Sequence, residues 1–277
     1  MEIDISAIAK NNGKKGTIEI KQQPVPKIEA VQYFKTLNKL TKSMRYDVKN
    51  KIFPIIRLLE KKYTTDSYVE DITQVVAMLS LKYANETASV AKTIAKKMVY
   101  NISSKNKKSF DKSLKNQTGV DLSDILVDDG LTDFLDAQVS KNVSLIKSIP
   151  QEYFKSIETV VMNGVANGLR FEEIAKQIGG IKGISSVNGK LQNRIKLIAR
   201  NETSNINSSI NKRRQELLEI KEFKWVTAND GDRVRPSHAK INGNIYNWDD
   251  LPIVDGVKTF PGQPINCRCI AIPVIKI

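Results

Sequence analysis

The soft metal-ligand chemistry of this chain is confined to its last forty or so residues. The one histidine is His238, in DGDRVRPSHAKING, and the two cysteines are Cys267 and Cys269, in PINCRC. A structural zinc takes four ligands, usually Cys or His, so these three need a fourth, for which the Asp232 carboxylate or a water is the candidate. Three protein ligands plus water is also the catalytic pattern, so a metal-dependent hydrolase or nuclease centred on these residues is the enzymatic alternative. A third reading needs no metal: two buried thiols around a turn led by Pro264 can close a small core, with His238 as a satisfied polar group. A relaxed disulfide is disfavoured because one intervening residue cannot give the required separation and torsion, so both cysteines read as thiols in a reducing compartment. No Glu lies two residues after the histidine and no Cys-x-x-Cys follows a proline, which excludes a zinc deaminase. No protease signature surrounds either cysteine.

These residues must be positioned by a chain whose pattern changes along its length. Residues 10–27, KNNGKKGTIEIKQQPVPK, mix Gly, Pro, Asn and Lys with little apolar content. The expectation over 1–27 is an extended basic arm that docks on a partner rather than on its own core. Residues 28–180 read as an α-helical region. Met44, Val48, Ile52, Ile55, Ile56 and Leu59 recur at helical spacing, with a kink or break expected at Pro54. Val69, Ile72, Val75, Val76 and Leu79, then Val90, Ile94 and Met98, form one stripe of an amphipathic helix, with an interruption expected near ANETAS. Two further helical stretches are expected on either side of Pro150, and RFEEIAKQIGG reads as a short helix closed by glycines. GGIKGISSVNGK is the expected hinge. After it come a polar helix, LQNRIKLIARNETSNINSSINKRRQELLEI, and three strand candidates in EFKWVTA, NGNIYNW and CIAIPVI. The fold class is therefore α+β and predominantly α-helical, with a helical N-terminal region followed by a small α+β C-terminal domain over 188–277.

Charge is uneven. The first 120 residues hold 23 Lys and Arg against 11 Asp and Glu, most of the net +14. A field of that sign favours a polyanion, and the cluster Lys105, Lys107, Lys108, Lys112 and Lys115 is the candidate for sequence-independent contact with double-stranded DNA. Few aromatics are interleaved, which argues against stacking on single strands. No stretch approaches the roughly 18 apolar residues of a membrane span, and the N-terminus lacks a leader pattern.

The ordered set LIARNETS, FKWVTANDGDRVRPSHAKINGNIY and PINCRCIAIPV resembles the C-terminal domain of the phage Mu F-like head morphogenesis family. The positions carrying the resemblance are Arg200, Glu202, Trp225, Asp232, Arg233, Arg235, His238, Asn266, Cys267, Arg268 and Cys269; Asn201 stands where the family usually has Thr. The resemblance implies a non-enzymatic minor head protein, incorporated into the capsid with the portal and associated with packaged DNA or its ejection. It further implies portal, capsid or scaffolding proteins as partners. Its place would be the virion interior, after assembly in the host cytoplasm, with no appended toxin domain. A structural zinc at the Cys and His positions is implied in the same way. A DNA-binding protein outside any virion is the remaining alternative.

Overall fold

A computed structural model describes residues 4–21, 26–61, 66–121, 130–179, 186–228 and 234–277. The helices are α1 (Ile5–Asn11), α2 (Lys27–Asp47), α3 (Phe53–Lys61), α4 (Asp66–Thr118), α5 (Thr132–Ala166), α6 (Phe171–Gly179), α7 (Val187–Leu217) and α8 (Pro236–Lys240). The strands are β1 (Thr17–Glu19), β2 (Glu222–Val226), β3 (Ile245–Asn247), β4 (Ile253–Val254), β5 (Val257–Lys258) and β6 (Ile270–Lys276). The chain is predominantly α-helical α+β, and β2, β3 and β6 coincide with the strand candidates read from the sequence. No described helix is long and apolar enough to cross a membrane.

Two compact units emerge, and neither is a contiguous segment. One comprises residues 31–96 and 139–199; the other comprises 1–30, 97–138 and 200–277. The division expected at the glycine-rich hinge cuts the chain differently, because α4, α5 and α7 each supply residues to both units. Residues 180–185, within that hinge, lie outside the described residues.

The first unit is all-helical. Between α2 and α3, Val48–Ile52 forms a π-helical turn in which the Phe53 N–H bonds to the Val48 carbonyl. Pro54 follows directly and has no N–H to give the preceding turn, so the break expected there takes the form of a widened helix. Tyr83 stacks on Phe154 at 5.7 Å, and Phe53 meets Phe171 edge-on at 5.7 Å. A Cβ on Gly164 would lie 2.6 Å from Ile174, so α5 and α6 approach closely only because that residue is glycine. The Asp47 carboxylate accepts from Lys51 and Lys82, each at 3.0 Å.

Two expected breaks are absent. Helix α4 runs unbroken through ANETAS to Thr118, where Gly119, at φ +74°, turns the chain and donates to the Lys115 carbonyl at 2.9 Å. Helix α5 continues through Pro150. A mid-helix proline costs about 3 kcal/mol. Burial of Ile146, Ile149, Tyr153, Phe154 and Ile157 on both sides of it offsets that cost.

The second unit holds a four-stranded antiparallel sheet in the order β1-β6-β2-β3 and the hairpin β4–β5. The hairpin turns on Asp255 and Gly256 at φ +52° and +79°, the left-handed pair of a type I′ turn. The expected N-terminal arm is here corrected. Strand β1 pairs with β6, Ile20 N–H donates to the Pro273 carbonyl at 3.0 Å, and Ser6 Oγ donates to the Lys276 carbonyl at 2.6 Å. Ile5 and Ile20 are buried with Phe110, Leu114, Val120, Leu218, Ile220 and Ile275. Averaged composition hid this, because four isoleucines at 5, 8, 18 and 20 supply the apolar contact that the lysines and asparagines around them lack. Residues 22–25 of the expected arm lie outside the described residues. The other core of this unit gathers Phe223, Trp225, Trp248, Val254, Phe260, Cys267, Cys269 and Ala271.

Candidate metal centre

The pairing of β2 with β6 sets the site. Trp225 is opposite Ala271 and Val226 opposite Ile270, so the cysteines just before β6 are carried beside the end of β2. Pro236 at the first turn of α8, where its missing N–H is no loss, starts the short helix that presents His238. His238 Nδ1 lies 3.5 Å from Cys267 Sγ and 3.4 Å from Cys269 Sγ. All three are buried, with exposures of 2 %, 5 % and 4 %, and their ligand atoms fall within 4.8 Å of one another.

These distances fit a metal. With zinc bonds of about 2.3 Å to sulfur and about 2.05 Å to nitrogen, the N···S edge of a tetrahedron is about 3.6 Å. A cavity of about 100 Å³ adjoins the three, lined also by Ala228, Val234, Arg235 and Arg268. His238 Nε2 has no hydrogen-bond partner among the described residues, and Trp225 stands edge-on to its ring at 5.3 Å. The thiols are electrostatically unequal. Hydrogen bonding from Cys269 lowers Cys267 to about 6 despite burial, helped by backbone N–H groups of Cys269 and Gly262 and by His238. Cys269, holding that shared proton and also buried, is pushed up. A thiol biased toward its thiolate form, beside an imidazole, suits the needs of a soft metal.

The cysteine loop is moulded by α7. Arg200 Nε and Nη2 donate to Asn266 Oδ1, the former at 3.1 Å, and the Asn266 N–H donates to Asn201 Oδ1 at 3.1 Å. These bonds hold Asn266 in the left-handed region, at φ +60°. Ser204 Oγ donates to the Cys267 carbonyl at 2.8 Å. The Asn205 amide, oriented as its neighbours require, donates to the Gln263 carbonyl at 2.9 Å. Gly262, at φ +86°, donates its N–H toward Cys267 Sγ at 3.4 Å, and a Cβ there would lie 1.9 Å from Ser208 Oγ. From the far side, Arg235 Nη2 donates to the Ile265 carbonyl at 2.7 Å.

The expected residues thus separate into groups. His238, Cys267 and Cys269 come together. Arg200, Asn266 and Arg235 act on the loop that carries the cysteines, while Arg268 lines the cavity and Trp225 packs against the histidine. Glu202 is buried, at 4 % exposure, next to Asn201, whose amide donates to it at 3.3 Å. Asp232 and Arg233 lie outside the described residues. The lysine cluster on α4 is not at this site. Lys105 pairs with Glu29 and Lys115 with Asp121, Lys107 also has a partner, and Lys108 and Lys112 are exposed. Sequence reading missed Ser204, Asn205, Ser208 and Gly262. The signal was present, since small polar residues at spacings of three and four along NETSNINSSI mark one face of a helix turned to protein backbone rather than to solvent.

An uncharacterized protein of Haemophilus influenzae (strain ATCC 51907 / DSM 11121 / KW20 / Rd) is 33% identical over 193 residues, a match covering 69% of this chain and 41% of that protein. The chain therefore spans less than half the length of that relative. No solved structure gives a significant match. The family described as "Phage Mu protein F like protein" matches residues 155–272, from within α5 to within β6. That span takes in the α7 mould, His238 and both cysteines, so the match to the phage Mu protein F like family covers the C-terminal region that holds the candidate site.

Proposed function

We propose that the protein is a minor head protein of a bacteriophage, acting in head assembly with the portal and with capsid or scaffolding proteins, and residing inside the virion. The observation that carries this reading is the family match over the region that contains the moulded cysteine loop. Its role there is structural rather than enzymatic. In support, all three candidate ligands are buried and the adjoining cavity of about 100 Å³ is small for a substrate.

The same reading assigns a zinc ion to His238 Nδ1, Cys267 Sγ and Cys269 Sγ, with the fourth position taken by Asp232 or water. The ion would supply a clip joining α8 to the start of β6, which a small, loop-rich unit gains from directly as folding free energy. It also assigns non-specific contact with double-stranded DNA, supported by the net charge of +14. Quantitative protein analysis of purified virions tests the proposal. The expected result is a few copies per particle, retained in heads and lost when the portal is absent. Absence from particles assembled in cells that make the protein would overturn it.

A further inference from the structure

The cation surplus does not sit where the α4 lysines would place it. Residues 31–96 and 139–199, the helical unit, hold 21 Lys and Arg against 10 Asp and Glu, a net +11. The unit that contains Lys105, Lys107, Lys108, Lys112 and Lys115 holds 23 against 20, a net +3. Two of those five lysines are also already paired with carboxylates.

Within the helical unit one surface concentrates the charge. Lys35, Lys39, Lys42, Tyr46 and Lys49 follow one another at steps of four, three, four and three, a single stripe along α2 into the π-turn. All five are exposed, Tyr46 at 68 %. Among the described residues none of the four lysines makes an ion pair, and the nearby Asp47 is turned inward to Lys51 and Lys82. The π-turn matters here, because it buries Val48 and Ile52 while leaving Lys49 on the stripe. At 1.5 Å per residue the stripe is about 21 Å long, a run that can follow successive phosphates of one strand. Beside it lies an open groove of about 300 Å³ lined by Lys42, Arg45, Tyr46 and Lys49 and by the apolar Val48, Phe53 and Ile178.

We infer that this α2 stripe, rather than the α4 cluster, is the surface that binds double-stranded DNA through its phosphate backbone. The occupant is argued from charge complementarity. Four cations without carboxylate partners, aligned along the stripe with Tyr46 among them, match a polyanion. Lysines supply the charge, and the Tyr46 hydroxyl can donate to a phosphate oxygen. The inference rests on the DNA association proposed above and names its site.

The test is titration of the whole chain with a labelled DNA duplex at several salt concentrations. Three proteins are compared: the wild type, a variant with Lys35, Lys39, Lys42 and Lys49 all changed to Gln, and a control of equal net charge with Lys15, Lys108, Lys112 and Lys240 changed to Gln. Because each lost phosphate contact removes about 0.9 from the slope of log affinity against log salt, the stripe variant should lose about 3 to 4 in slope, and the control much less. Affinity at low salt should fall 10-fold or more for the stripe variant. Tyr46→Ala should weaken binding without changing the slope. All the altered lysines are surface residues, so far-ultraviolet circular dichroism should be unchanged. Equal losses in the two quadruple variants, or a stripe variant that binds like wild type, would overturn the stripe assignment while leaving DNA association intact. Poly-glutamate displacing the duplex as well as unlabelled DNA does would overturn it in favour of an acidic protein partner. No binding by the wild type at low salt would remove the DNA association itself.

Discussion

In the helical unit the core is a sum of repeated apolar contacts. Ile72, Val76, Leu79 and Tyr83 of α4 are buried at helical spacing, as are Ile146, Ile149, Tyr153, Phe154 and Ile157 of α5. In the sheet unit, by contrast, much of α7's buried face is polar: Thr203, Ser204, Asn207, Ser208, Asn211, Arg214 and Gln215. Several of these answer particular groups. Ser204 serves the Cys267 carbonyl, Gln215 accepts from Trp248 Nε1 at 3.0 Å, and Asn106 donates to both Asn207 and Asn211 while accepting from Arg214. Apolar contacts tolerate exchange of one residue for another of similar size, whereas a buried polar group whose partner is removed keeps its full desolvation cost. The first unit should therefore degrade gradually under mutation and the second abruptly.

The two tryptophans, Trp225 and Trp248, lie in the sheet unit, so fluorescence follows that unit while helical ellipticity is weighted toward the other. The largest effect expected is from the metal. Structural zinc contributes on the order of 10 kcal/mol in small zinc modules. Cys267→Ala, or exhaustive chelation, should therefore abolish the tryptophan unfolding transition and leave most of the helical signal. A protein that contains no zinc on elemental analysis, or one that keeps its fluorescence transition after chelation, would refute the clip and leave the packed-thiol reading.

A large core truncation gives the reciprocal experiment. Phe154 is 1 % exposed and stacked on Tyr83, so Phe154→Ala should cost about 3–5 kcal/mol. The loss should appear in the helical melting curve with little change in fluorescence. If both probes shift together, the two units unfold as one and the comparison fails.

What could be read from the sequence divides along the same line. Helix type and approximate extent were legible wherever burial follows the helical period, and strands wherever β-branched and aromatic residues cluster, as in β2 and β6. The cysteine–histidine group was legible because its residue types are rare in this chain. Three features were not legible, each for a physical reason. Strand β1 owes its place to the free edge of β6, some 250 residues away in sequence, which no local pattern encodes. The unbroken α5 depends on packing that outweighs a proline's local cost. The α7 mould depends on which backbone carbonyls its serines and asparagines face, and a polar helix bound to a loop has the same composition as one facing water.

The mould can be probed directly. Gly262→Ala adds a Cβ 1.9 Å from Ser208 Oγ at a left-handed φ, for which about 2–4 kcal/mol is expected from strain and overpacking together. Ser204→Ala, which leaves the buried Cys267 carbonyl without that donor, should cost about 1–3 kcal/mol. Both should lower the fluorescence transition alone, and both should speed the reaction of the cysteines with a thiol reagent. A Ser204→Ala protein with wild-type fluorescence melting and thiol protection would show that α7 packs against the loop without fixing it.

The smallest expected effect belongs to the Asp47 ion cluster of the helical unit. Burial by itself would raise the Asp47 pKa, but hydrogen bonds from Lys82 and Lys51 outweigh it and hold the carboxyl below its ordinary 3.8. A carboxyl whose folded pKa is depressed contributes stability above its unfolded pKa and loses it as pH falls through the folded value. The contribution is therefore present at neutral pH and fades only below about pH 4. Its size is limited because both lysines are largely exposed, with side-chain exposures of 46 % and 43 %, and water screens them. Asp47→Asn should thus lower stability at pH 7 by about 1 kcal/mol or less, in the helical signal alone. The difference from wild type should vanish at the lowest pH at which the helical unit still folds. A difference that persists undiminished in acid would mean that Asp47 acts through packing, and would count against the view that this unit is held chiefly by its apolar stripes.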